Sequence, residues 1–136
     1  MRALPLLLTL LLLLAGCQTA SRPYAPVDNV RYSAIGHAPF WMVTISDDRI
    51  VLRLGHDGSE EGKEYDDVVY PRTLPRTEDG FRTWQSGEGT AVITIQARPG
   101  PCEGAGGRHY EDHVRVRLSG RELSGCGGRL LRENGR

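Results

Sequence analysis

The sequence predicts an all-β domain, a small antiparallel β-barrel or sandwich of about six to eight strands, following an N-terminal signal helix. Three observations predict it. Apolar and polar residues alternate with period two in "HVRVRL" (113–118), and "IVLRL" (50–54) sets three apolar residues on one face with Val51 and Arg53 opposite. Short apolar runs are separated repeatedly by glycine, proline, aspartate and serine, the residues that make turns. After the leader, no segment holds the 3.6-residue apolar pattern of an amphipathic helix.

The strands follow in chain order. "FWMVTI" (40–45), "SDDR" and "IVLRL" (50–54) form a predicted hairpin, with turn formers between two arms rich in β-branched and aromatic residues. Ile50, Leu52 and Leu54 share one face of the second arm. The first arm is apolar on both faces and reads as a covered, central strand. Residues 55–67, "GHDGSEEGKEYDD", are polar and glycine-rich and read as a loop or a loose hairpin end. Pro71 and Pro75 confine any strand near them to an edge, because proline cannot donate to a ladder. Glu78-Asp79-Gly80 is a predicted turn into a strand around Phe81 to Trp84. "TAVITIQ" (90–96) is a predicted strand with Ala91, Ile93 and Ile95 on one face. In "HVRVRL", Val114, Val116 and Leu118 point in, and His113, Arg115 and Arg117 point out. Ser119-Gly120 then turns the chain into "RELSGC". Trp41 and Trp84 are expected in the core.

Ahead of this domain stands a leader. Met1-Arg2 is short and positive, and Ala3 to Gly16 is uncharged and mostly leucine. That run of about 14 residues is shorter than the roughly 20 needed to cross a bilayer as a helix. It ends in Leu14-Ala15-Gly16-Cys17, which resembles the lipobox of bacterial lipoproteins. The resemblance implies diacylglyceryl transfer to Cys17, cleavage before it and acylation of the new amino terminus. Two or more acyl chains make a stable anchor. Gln18 after the lipidated cysteine resembles the outer-membrane sorting pattern of Gram-negative lipoproteins. The implied location is the cell envelope, lipid-anchored at the outer membrane and facing the periplasm. The expected organisation is therefore a signal peptide over 1–16, a lipidated cysteine with a flexible linker over 17–29, a β-domain over 30–128 and a charged tail over 129–136. The linker reaches at most about 40 Å from the lipid.

Seventeen Lys and Arg residues balance seventeen Asp and Glu. This is no electrostatic footprint for nucleic acid, which is excluded as a partner. The expected partners are the membrane, through the anchor, and an envelope protein. Of the three cysteines, lipid takes Cys17; Cys102 and Cys126 remain as an even pair in an oxidising compartment and read as a disulfide. Such a staple suits a domain of roughly one hundred residues with a modest core.

The segment "PCEGAGGRHYEDH" (101–113) raises the question of chemistry. His109 and His113 are four apart, which in an extended chain separates them by about 13 Å, too far to share a metal without a bend. Glu103 or Asp112 would complete such a site, for zinc or copper. The acidic residues Asp57, Glu60, Glu61, Glu64, Asp66 and Asp67 carry oxygen ligands suited to calcium but lack the spaced pattern of a calcium loop. Gly104, Gly106 and Gly107 lack the strand–loop–helix setting of a phosphate cradle and read as a connection that lets Cys102 reach Cys126. No catalytic residue, metal or cofactor is expected.

"GHAPFWMVTI" (36–45), "GPC" (100–102), Tyr110, Val114 and "LSGCG" (123–127) together resemble a family of small bacterial lipoproteins and membrane-associated proteins of unknown function. In that family a P-F-W strand precedes a C-x-D-G-M-S-D-x-x-Y-P segment, and a C-terminal G-C-G supplies the second cysteine. Here the middle segment is shorter and lacks the Ser-Asp pair and the proline, while the cysteines and Pro39-Phe40-Trp41 stand. The resemblance implies a non-enzymatic envelope lipoprotein that binds a partner or supports the envelope. "TWQSGEG" (83–89) resembles a tryptophan-glycine segment of membrane-bound lysozyme inhibitors, so action on a cell-wall hydrolase is the first alternative. An enzyme or metal carrier of the envelope is the second.

Overall fold

The computed structural model describes residues 31–56 and 64–131. The leader, Cys17 and the linker lie outside the described residues.

Among the described residues, nine strands form one antiparallel sheet: β1 (Tyr32–His37), β2 (Phe40–Ile45), β3 (Arg49–Gly55), β4 (Tyr65–Pro71), β5 (Arg76–Glu78), β6 (Phe81–Ser86), β7 (Ile93–Glu103), β8 (His109–Leu118) and β9 (Arg121–Leu130). Their order across the sheet is β4-β3-β2-β1-β9-β8-β7-β6-β5. The sheet curls on its apolar face into a half-barrel. Two contacts show the curl. The ring of Tyr32 on β1 stacks on that of Trp84 on β6 at 4.9 Å, although β9, β8 and β7 lie between them in the ladder. At the rim, Ser86 Oγ on β6 donates to the carbonyl of Pro71 on β4 at 2.6 Å. The fold is thus all-β as expected, and a single curled sheet rather than a two-sheet sandwich.

The count exceeds the expected six to eight because two strands carry little apolar signal. In β1, inward Tyr32, Ala34 and Gly36 alternate with Ser33, Ile35 and His37, so two of the three inward positions have almost no side chain. The three residues of β5 are polar and exposed and pair only with β6. Other strands differ in their bounds. Ala91 is exposed in a 3-10 turn, so β7 begins at Ile93 rather than in "TAV", and it runs on through Pro99 and Pro101 to Glu103. A register shift between Pro99 and Cys102 accommodates the two prolines, which cannot donate to β8. β9 pairs on through Arg129 to Leu130, beyond the expected boundary at 128. Asp66 and Asp67, expected in a loop, belong to β4.

The core lies on the concave face. Val43, Ile45, Ile50, Leu52, Ile93, Ile95 and Val116 are sealed from solvent, each burial contributing about 1.5–3 kcal/mol. The alternation read in β3 and β8 holds: Ile50 and Leu52 are buried, and Val114 and Val116 face in while His113, Arg115 and Arg117 face out. β2 does lie between β1 and β3, but its outer face is only partly covered, with Phe40 and Met42 half-buried and Thr44 exposed. β4 and β5 are the two edges, where the prolines placed them. Asp79-Gly80 and Ser119-Gly120 are two-residue turns with positive φ at both positions, matching the twist of the strands they join.

Trp41 and Trp84 are both buried, and Trp41 explains two glycines. Its indole Nε1 donates to the carbonyl of Ser124 on β9 at 3.3 Å. A Cβ at Gly36 would run into that indole nitrogen, and one at Gly125 would run into the Ile35 carbonyl and approach Trp41 Cζ2 to 2.8 Å. Only glycine leaves the ring room between β1 and β9.

Candidate functional site

The alternation of β8 continues toward its N-terminus. Two residues before Val114, Asp112 also faces the concave side and is 6% exposed. A buried carboxylate is costly unless donors or a cation hold it. Here Tyr32 Oη donates to Asp112 Oδ2 at 2.8 Å, and Arg82 Nη2 lies 3.6 Å from the same oxygen. Arg82 faces inward because it is in phase with Trp84 and Ser86 on β6. Its guanidinium carbon sits 4.9 Å from the Tyr32 ring centroid and 5.0 Å from that of Trp84, a cation over two stacked aromatic faces. β1, β6 and β8 each supply one member of the cluster, so only the curled sheet assembles it.

Burial, and then the hydrogen bond to Asp112, push the Tyr32 hydroxyl far above the ordinary tyrosine range. The phenol is therefore a neutral donor. Arg82, one-third exposed, supplies the compensating charge. Beside the cluster lies a groove of about 260 Å³, lined by Thr77, Gly80, Arg82, Ala97, Pro99, Glu111 and Asp112. Chemically the arrangement fixes three side chains against one another and closes this end of the half-barrel with balanced charge. It presents no activated nucleophile: the phenol keeps its proton, and the carboxylate is held by its two partners.

The other candidate residues are spread out. The Sγ atoms of Cys102 on β7 and Cys126 on β9 are 2.01 Å apart, at disulfide distance, with Cα atoms 5.6 Å apart. The pair lies across β8, near the bulges of β7–β8 and β8–β9. His109 and His113 both lie on β8, but opposite different partners, Glu103 and Arg98. His113 is exposed on the convex side while Asp112 is buried on the concave side. Histidines and carboxylates of this segment therefore do not converge, and among the described residues no three His, Cys, Asp or Glu side chains are placed to hold a metal ion.

In the acidic segment, Asp57, Glu60 and Glu61 lie outside the described residues. Arg53 Nε and Nη2 donate to the two carboxylate oxygens of Asp67 at 2.8 and 2.9 Å, which keeps its carboxyl below the usual carboxylate range. Asp66 pairs instead with His56 Nε2 at 3.0 Å. Neighbouring strand residues point to opposite faces, so these two do not form one ligand set. Gly104, Gly106 and Gly107 make the β7–β8 connection, where φ near +70° at the last two is the left-handed backbone a tight reversal needs, and Gly104 N donates to Arg108 O at 2.7 Å. Cys17 lies outside the described residues.

Sequence reading passed over Tyr32, Arg82 and the role of Asp112. For Asp112 the signal was present, because the same period-two count that sends Val114 and Val116 inward sends Asp112 inward too. For Tyr32 and Arg82 there was none, since their meeting depends on curvature.

No family model, curated protein or solved structure matches this chain.

Proposed function

We propose that this chain is a lipid-anchored protein of the bacterial envelope, held at the outer membrane with its β-domain in the periplasm, where it acts as a non-enzymatic binding or structural module. The observation that carries the reading is Leu14-Ala15-Gly16-Cys17 behind a leucine-rich leader too short to span a bilayer. Two features of the domain support it. A cysteine pair at bonding distance suits an oxidising compartment. The segments that resemble landmarks of small envelope lipoproteins also meet in space: Phe40-Trp41 opens β2, and the Trp41 indole reaches the Ser124 carbonyl within "LSGCG". The Tyr32–Arg82–Asp112 cluster fits such a module as a lock on its rim.

Metabolic labelling with radioactive palmitate tests the anchor. The wild-type chain takes up label and partitions with membranes, and Cys17→Ser takes up none and keeps its leader. Equal labelling of the two would sink the proposal.

A further inference from the structure

The convex face of β7, β8 and β9 carries a cluster of basic side chains. Its outward positions form a grid set by register. Arg98 lies beside His113, Gln96 beside Arg115 and then Ser124, and Thr94 beside Arg117 and then Glu122. Three guanidiniums and an imidazole thus share this face with one carboxylate. Glu122 contacts both Arg115 and Arg117, at 3.1 Å each, and those arginines remain half-exposed. Arg98 and His113 are exposed, and Arg98 makes no ion pair among the described residues. The chain as a whole is charge-neutral, so this excess of cations is local. Between Arg98, His113 and Arg115 lies a shallow depression of about 260 Å³, lined also by Phe81, Gln96, Val114 and Ser124.

We infer that this face docks onto the anionic lipid surface of the membrane that holds the anchor, with the depression receiving a phosphate headgroup. The inference rests on the anchor reading. Charge complementarity selects the occupant: guanidiniums match phosphate oxygens in geometry as well as sign. Basic side chains near an anionic bilayer each add attraction that falls off within a Debye length, so they act only on a surface already brought close. The tether brings it close. Its reach of about 40 Å exceeds the width of β1, β9 and β8, at about 4.8 Å per strand, so the linker entering at β1 can lay the β8 face down.

The acylated mature protein is reconstituted into vesicles of phosphatidylcholine alone, or with phosphatidylglycerol as roughly a third of the lipid. Arginines are then modified with phenylglyoxal and the rate at each site is read by mass spectrometry. The expected result is that Arg98, Arg115 and Arg117 react about fivefold more slowly on the anionic vesicles, and that the difference collapses at about 1 M salt. Arg49, exposed on β3, changes little. Equal rates on both vesicles for the three arginines, in protein that floats with both, overturn the docking face and leave the anchor standing. Protein that fails to float with phosphatidylcholine overturns the anchor and the docking face with it.

Discussion

Tyr32 and Asp112 are eighty positions apart in sequence and share a buried hydrogen bond of 2.8 Å, the hydroxyl of the first β-strand residue donating to the carboxylate that continues the inward row of β8. The bond ties β1 to β8 on the concave face, and Arg82 completes its charge balance from β6.

Replacing Tyr32 with phenylalanine keeps the ring on Trp84 but leaves Asp112 without its hydroxyl donor. The loss expected is about 1–3 kcal/mol, since a buried acceptor deprived of its partner costs its desolvation. Urea unfolding of Y32F against wild type measures it. An unchanged midpoint would show that water replaces the hydroxyl.

The same hydroxyl gives the domain an alkaline limit. Its folded pKa lies far above the unfolded value of about 10. The contribution is complete below pH ~10. It declines as pH rises beyond that, because the unfolded chain releases a proton that the folded chain retains. Each such tyrosine steepens the decline by up to about 1.4 kcal/mol per pH unit. Burial raises Tyr70 in the same direction. Stability followed from pH 8 to 12 falls above ~10 in the wild type and less steeply in Y32F. Parallel curves would place the effect elsewhere.

The Cys102–Cys126 clip closes a sequence separation of 24. By chain entropy, losing it costs about 3.5 kcal/mol. The double variant Cys102→Ser, Cys126→Ser is expected to unfold at correspondingly lower denaturant while keeping its sheet, because β8 still pairs with both β7 and β9. Alkylation of unfolded protein isolated without reductant provides the covalent check: both thiols react only after reduction.

Packing around Trp41 predicts an intolerance out of proportion to one methyl group. Gly125→Ala drives a Cβ into the Ile35 carbonyl, a backbone atom held by the β1–β9 ladder. A loss of about 1–3 kcal/mol is expected. Ser124→Ala, one residue away and exposed with its carbonyl kept, stays within about 0.5 kcal/mol. Thermal denaturation of the two variants side by side distinguishes them.

What the sequence by itself determined is local. Period-two alternation in 50–54 and 113–118 assigned faces correctly, because a strand's side chains must alternate whatever the sheet does. Asp79-Gly80 and Ser119-Gly120 announced their turns, and the prolines announced the edges. The cysteine count named the pair that the fold brings to bonding distance. Two strands escaped notice, β1, with alanine and glycine at two of its three inward positions, and β5, polar and exposed throughout, since they are strands only because β2, β9 and β6 supply their hydrogen bonds. Tertiary structure alone decided the rest. Whether the sheet closes as a sandwich or curls as one layer depends on accumulated twist, which no short window of residues encodes. That curvature carries Tyr32 across to Trp84 and puts Arg82 beside Asp112. Register, which sums pairing over whole strands, is what sets Arg98, Arg115 and Arg117 side by side on the opposite face.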